Sequence, residues 1–184
     1  HREEQMFSLD RHVVTDLLTD LPNRAYLLAQ QQHIIQYGMK NDQAAVMMVD
    51  VNDFKAVNEK FGHGSGDLLL KVVGRRLQQC LRQDDTIVRL GGDEFCIILA
   101  HTNKEQALEV AQKILAEIAQ PLAINNHNYI VGLSMGIAMY PKHGEDTCVL
   151  VSKADRAMQY AKRRNLDVTV FEYKLVQTEL LDTV

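Results

Sequence analysis

Arg89-Leu90-Gly91-Gly92-Asp93-Glu94-Phe95 lies where two apolar runs, Thr86–Leu90 and Glu94–Ala100, meet. Two such runs around Gly-Gly read as a β-hairpin. The glycines leave bare backbone at the turn, so another group can approach closely. Two carboxylates, Asp93 and Glu94, follow at once. Adjacent strand residues point to opposite faces, so at most one aims at a given site unless the turn twists them. Acids beside a turn are most often simply solvated, and the hairpin alone leaves both readings open.

Upstream, Ala44–Val51 reads AAVMMVDV, an apolar run without alternation. That pattern fits a strand covered on both faces. Asp50 stands at its carboxyl end, where an unpaired buried charge is costly. A short helix is expected over Asp53–Glu59, then a glycine-rich turn, Phe61-Gly62-His63-Gly64-Ser65-Gly66. A longer helix runs to about Arg82, with Leu69, Val72, Val73, Leu77 and Cys80 on one face. Downstream of the hairpin, Thr102-Asn103-Lys104-Glu105 reads as a capping box opening a helix to about Gln120. Tyr129–Tyr140 reads as a strand, Thr147–Arg163 as a helix and Val168–Tyr173 as a last strand.

The order β-α-α-β-β-α-β, followed by α-β, predicts an α+β fold. It is a ferredoxin-like, palm-type sandwich, with a mostly antiparallel central sheet flanked by helices. In such a sheet the first strand lies beside the hairpin. Asp50 and Asp93 then converge on one hard cation, Mg²⁺ being the natural candidate. The Val51 carbonyl offers a further oxygen.

The 184 residues fit one domain with its own core. Hydrophobic residues at 46% and charged residues at 24% exclude a disordered or collagen-like chain. A net charge of −4 argues against a nucleic-acid partner, which needs a basic surface. Cys80, Cys96 and Cys148 are odd in number and widely spaced, which speaks against a disulfide scaffold or zinc ribbon. No apolar run reaches the ~18–20 residues of a membrane span, and no signal peptide is visible. Residues 1–20 carry Met6, Phe7, Leu9, Val13, Val14, Leu17 and Leu18 at helical intervals. They are expected to be a helical linker from an upstream module. Leu21-Pro22-Asn23-Arg24 then opens a helix to about Gly38, with Pro22 in its first turn. The start at His1 suggests a fragment of a larger parent, even a membrane-bound one.

These segments resemble the GGDEF family, the catalytic domain of diguanylate cyclases. Gly91-Gly92-Asp93-Glu94-Phe95 carries the signature. Asp50-Val51-Asn52-Asp53-Phe54-Lys55 and Asn58-Glu59-Lys60-Phe61-Gly62-His63-Gly64-Ser65-Gly66-Asp67 are similar to the family's D-x-D-x-F-K-x-x-N-D-x-x-G-H-x-x-G-D. Asp16-Leu17-Leu18-Thr19-Asp20-Leu21-Pro22-Asn23-Arg24 resembles its D-x-L-T-G-L-P-N-R. Ser134-Met135-Gly136-Ile137-Ala138 and Ala154-Asp155-Arg156-Ala157-Met158 resemble two later motifs. The resemblance covers roughly residues 14–173.

It implies a domain over residues 21–175, with 1–20 as linker and 176–184 as tail. Asp50, Val51, Asp93 and Glu94 would hold Mg²⁺ or Mn²⁺. Asp93, Glu94 and Asp50 would serve catalysis, with Glu94 either a ligand or the group that deprotonates a 3′-hydroxyl. Asn58 and Asp67 would read guanine. Gly91, Gly92, Phe54, Lys55 and Lys162 would border the triphosphate. Arg82 and Asp85 would form an inhibitory product site. The implied activity joins two GTP into cyclic di-GMP and two pyrophosphates across a transient homodimer, in the cytoplasm, with the membrane reached only through a parent chain. The alternative is a weak or inactive module that senses GTP or cyclic di-GMP beside a phosphodiesterase domain. Gln120-Pro121-Leu122 and Tyr140-Pro141-Lys142-His143-Gly144 resemble members built that way. This chain departs from the pattern at Asp20, Asn52 and Glu59, and Leu166 stands where the family has a phosphate-binding Arg.

Overall fold

The structure, a computed structural model, describes residues 11–30 and 43–175. A short helix α1 (Arg11–Val14) and a helix α2, described over 24–30, precede strand β1 (Ala44–Val51). Then come α3 (Phe54–Phe61), α4 (His63–Gln79), β2 (Thr86–Gly91) and β3 (Glu94–Leu99). The chain continues through α5 (Lys104–Ile118), β4 (Leu122–Ile124), β5 (His127–Tyr129), β6 (Leu133–Tyr140), α6 (Thr147–Arg163) and β7 (Val168–Val170). Linker residues 1–10, the rest of the helix to about Gly38, and the tail 176–184 lie outside the described residues.

The main sheet has the order β2-β3-β1-β6-β7. Its pairings are antiparallel except for β6 with β7. The α+β architecture expected from the sequence is therefore present. β1 sits at the centre, and all eight of its residues are buried, which explains its lack of alternation. Ala45, Met47, Val49 and Val51 belong to one core, with Leu69, Val73 and Leu77 of α4 and Ala111 and Ile114 of α5. Val46 and Met48 belong to the opposite core, with Leu150, Ala154 and Met158 of α6.

α6 lies directly on β6. A Cβ at Gly136 would fall 2.1 Å from the Ala154 carbonyl oxygen and 2.1 Å from the Met158 nitrogen. Only glycine lets the helix approach so near. Among the described residues no helix is long and apolar enough to cross a membrane.

Three local expectations are corrected. The strand read over Tyr129–Tyr140 is two strands: β5 pairs only with β4, in a separate hairpin, and β6 joins the main sheet. Their break is held where Asn52 N–H donates to the Gly132 carbonyl. The hairpin's turn is Asn125-Asn126, with φ of 48° and 63°, a pair that suits the left-handed turn joining two twisted strands. The capping box of α5 is one residue later than read: the Asn103 side chain and Gln106 cap each other. The glycine-rich turn is a single break at Gly62, because α4 already begins at His63.

Candidate active site

The acids meet at the ends of β1 and β3. Asp50 stands opposite Glu94 in the register of the two strands. Asp93 lies in the turn just before, and its carbonyl accepts from Val51 N–H at 3.2 Å. The turn therefore brings Asp93 to Asp50 as well, so the expected split of Asp93 and Glu94 between two environments does not occur. Burial, then a hydrogen bond and charge repulsion from Asp50, push the Asp93 carboxyl up to about 6. Burial, Asp155 and Asp50 together push Glu94 above the usual carboxylate range.

A cation is bonded directly to this cluster. Lys162, near the end of α6, donates to Asp50 Oδ2 at 2.6 Å. The bond to Asp50 also holds the Lys162 ammonium above its ordinary pKa. The other Asp50 oxygen, Oδ1, is buried without a hydrogen-bond partner. A buried carboxylate oxygen left bare is expensive, and a hard cation would satisfy it. Among the described residues no group of three or more His, Cys, Asp or Glu is placed to hold a metal by itself. The residues present thus fit an ion that takes its remaining ligands from elsewhere, as Mg²⁺ does when it bridges one or two carboxylates to phosphates.

The hairpin is clamped from outside. Arg89 Nε and Nη2 donate to the Gly92 carbonyl at 3.1 and 2.7 Å. Its Nη1 donates to both oxygens of Asp16, at 2.9 and 3.0 Å. Asp16 Oδ2 also accepts from the Thr19 amide and hydroxyl. Burial raises the Asp16 carboxyl, but Thr19 and Arg89 outweigh it and hold the group below its ordinary value. No role was read for this pair from the sequence. The available signal was Asp16-x-x-Thr19, an acid placed to accept from the residue three positions on.

A second group lies across α3 and α4. A Cβ on Gly66 would collide with the Asn58 amide, 2.0 Å from its Oδ1. Asn58 therefore packs against the first turn of α4, with Asp67 exposed beside it. Asn58 Oδ1 is buried and unpartnered. Phe54 is half-buried against the core. Lys55 is exposed and lies 3.8 Å from Glu59. Asp53, which caps α3, makes no side-chain cap bond, so the helix's first N–H groups have no side-chain acceptor there.

Arg82 and Asp85 form a closed pair. Asp85 Oδ2 accepts from the Arg82 main-chain N–H at 2.9 Å, and Oδ1 from Ala100 N–H at 3.1 Å. The Asp85 side chain is only 1% exposed, whereas that of Arg82 is 63% exposed. Arg82 Nη2 donates to the Ala100 carbonyl and the Thr102 hydroxyl, both at 3.0 Å. Leu166 is exposed and lies just past the end of α6. Its N–H donates to the Ala161 carbonyl, that of Asn165 donates to Lys162, and Asn165 has φ 51°. This is a Schellman closure with Asn in the left-handed position.

A cavity of about 400 Å³ opens between α2, α6 and the start of β3. Glu94 and Asp155 share it with Arg24 over a floor that includes Leu27, Met48 and Val151. The sequence marks Asp155 only as part of Ala154-Asp155-Arg156-Ala157-Met158, with no local signal that it faces Glu94.

A family model described as "Diguanylate cyclase, GGDEF domain" matches residues 13–167. The chain is 41% identical over 148 residues to MucR of Pseudomonas aeruginosa, named a bifunctional diguanylate cyclase/cyclic di-GMP phosphodiesterase, covering 80% of this chain and 22% of that one. It is 34% identical over 148 residues to NbdA of the same organism, named a cyclic di-GMP phosphodiesterase, covering 80% of this chain and 19% of that one. Among solved structures, the isolated GGDEF domain of TpbB from Pseudomonas aeruginosa superimposes with a TM-score of 0.84 at 32% identity, over 90% of this chain and 99% of that one. The chain spans about a fifth to two fifths of the length of the first curated relatives it matches, at 22%, 19% and 38%.

Proposed function

Because the chain belongs to the GGDEF family, we propose that it is a diguanylate cyclase, joining two GTP into cyclic di-GMP with release of two pyrophosphates. The reading rests above all on the bare Asp50 Oδ1 beside the raised Asp93 carboxyl, with Lys162 bonded to the other Asp50 oxygen. Asp50, Asp93 and the Val51 carbonyl would hold Mg²⁺ or Mn²⁺, with Glu94 at its edge. The ion would neutralise phosphate charge as it develops. In each half-reaction a 3′-hydroxyl oxygen attacks an α-phosphorus, the bond to the β-phosphate oxygen breaks, and pyrophosphate leaves. Glu94, held above the usual carboxylate range, is suited to take the hydroxyl proton. Lys162 would turn from Asp50 to a phosphate. The Gly91-Gly92 turn and the open N–H groups at Phe54 and Lys55 would border the triphosphate. Asn58 and Asp67 would accept from the donors on the guanine edge.

One site holds one GTP, so two copies must face each other. We place the functional unit at 21–175, with the Asp16 turn docked onto it, as the cytoplasmic part of a larger parent protein. Arg82 would take a product phosphate or guanine; Asp85, turned inward, would fix the Arg82 loop rather than touch the ligand. Incubating the chain with GTP and Mg²⁺ and separating the products should yield cyclic di-GMP, lost in Asp50→Ala. Product formation by Asp50→Ala at the wild-type rate would overturn the metal assignment.

A second reading is a binding module without turnover. It is favoured by Leu166, which puts an apolar side chain on an exposed helix end where the family pattern has Arg. GTP binding with no cyclic di-GMP formed would select it.

A further inference from the structure

Phe61 is the last residue of α3, so its carbonyl has no helical partner to receive. It is taken by two side chains from different parts of the chain. Ser65 Oγ, in the first turn of α4, donates to it at 2.8 Å. Asn125 Nδ2, in the β4–β5 turn, donates at 3.2 Å. The same hairpin grips the Phe61 ring. Tyr129 meets it edge-on with centroids 6.1 Å apart, and His127 lies tilted at 6.3 Å. Asn125 can hold its position because its backbone is left-handed, a conformation that Asn tolerates better than most residues.

The joint being gripped matters. Only Gly62 separates α3 from α4, at φ 90°. The angle at that one residue sets the gap between Asn58 and the Gly66-Asp67 turn. With no Cβ on Gly66 the gap is already closed to contact, so a small rotation at Gly62 moves Asn58 directly.

We infer that the β4–β5 hairpin straps the α3–α4 joint through the Phe61 carbonyl, and that Asn125 is a positioning residue for guanine recognition. This rests on the reading of Asn58 and Asp67 as the base-binding pair. The bare Asn58 Oδ1 would accept from the exocyclic amine of guanine, which inosine lacks. A strapped joint therefore discriminates between GTP and inosine triphosphate, and a loosened one discriminates less.

The test compares the whole chain with Asn125→Gly, which keeps the left-handed turn and deletes the donor. Asn126→Gly, in the same turn and without the bond, is the control. Calorimetry would measure binding of GTP and inosine triphosphate with Mg²⁺, alongside melting temperatures and initial rates. Asn125→Gly should weaken GTP binding by roughly 3–10-fold, the worth of one hydrogen bond. Its KM should rise by a similar factor with kcat little changed, and its preference for GTP over inosine triphosphate should shrink. Asn126→Gly should match wild type. Wild-type affinity and preference in Asn125→Gly would overturn the strap while leaving the base-binding pair intact. Equal weakening in both variants, with equal loss of melting temperature, would also overturn it, since the effect would then belong to hairpin stability. A wild-type chain that binds GTP, inosine triphosphate and ATP alike would remove the base-binding reading itself.

Discussion

Asp93 and Asp50 bring like charges into one half-buried place, with Lys162 as their shared counter-charge. Repulsion of this kind is stability given up for a function. Asp93→Asn keeps the shape and removes the charge. It should abolish cyclic di-GMP formation and yet raise the melting temperature at pH 7, by roughly 3 °C once solvent screening is allowed for. The sign follows from the raised carboxyl. In the folded chain Asp93 keeps its proton up to about 6, against 3.8 in the unfolded chain. The repulsion is thus absent near pH 4 and sets in as pH rises through about 6. The advantage of Asp93→Asn should vanish near pH 4. Calorimetry in chelator from pH 4 to 8 checks this, and identical melting at pH 7 would rule out the repulsion. The acids themselves were legible, because an Asp closing an apolar strand and an Asp-Glu after Gly-Gly stand out locally. The Lys162 bond to Asp50 was not, because its partners are 112 residues apart. It depends on how α6 is seated on β6, which spacing along the chain does not encode. Asp85 read as an acceptor for a ligand, but main-chain N–H groups nearer at hand occupy both its oxygens.

At the scale of elements, the turn around Asp16 acts on the hairpin through one guanidinium. Arg89 ties the Gly92 carbonyl to the Asp16 carboxylate, so the residue next to Asp93 inherits its position from a segment more than seventy residues earlier. Asp16→Asn should loosen this clamp at a cost of about 2 kcal/mol, since the lost bonds are charge-assisted. Asp16 is held below its ordinary value, so its contribution is present above pH 3.8 and lost as pH falls through the lower folded value. Urea melts of wild type and Asp16→Asn should differ at pH 7 and converge at strongly acidic pH. A gap that persists there would assign the effect to the lost shape rather than to the charge. The stretch before Leu21, read as linker, is bonded to the rest by this pair and by the Asp16 N–H to the Leu21 carbonyl. Long elements were legible because β1 is apolar up to Asp50 and α6 keeps one face apolar. The three-residue strands β4 and β5 were not, because so short a run carries no period to recognise.

At the scale of the whole molecule, one domain presents one such site, whereas the proposed reaction consumes two GTP. Leu17, 86% exposed, and Val13, 55% exposed, are the described apolar side chains nearest a possible seam ahead of α2. That stretch is too short for the ~3–4 heptads of a self-sufficient coiled coil. Specific activity should therefore rise with protein concentration, and fusing a dimeric coiled coil before residue 1 should flatten that dependence. A dilution series of the rate, paired with light scattering, measures both. A stable dimer with constant specific activity would mean that the domain carries its own dimer contacts. That the first strand lies beside the hairpin was legible, and β1 does pair with β3; that β6 takes the other edge of β1 emerges only from the pairing itself. Its central place bears on how the protein is made. Made before β6, β1 cannot be covered on its second edge until Tyr140 has been added. At roughly 5–20 residues per second, a sticky apolar strand waits on the order of ten seconds for its last neighbour. Through that interval the open strand edge is free to pair with other chains, and a synonymous change that stalls translation between β1 and β6 is expected to lower the yield of folded protein with the sequence untouched.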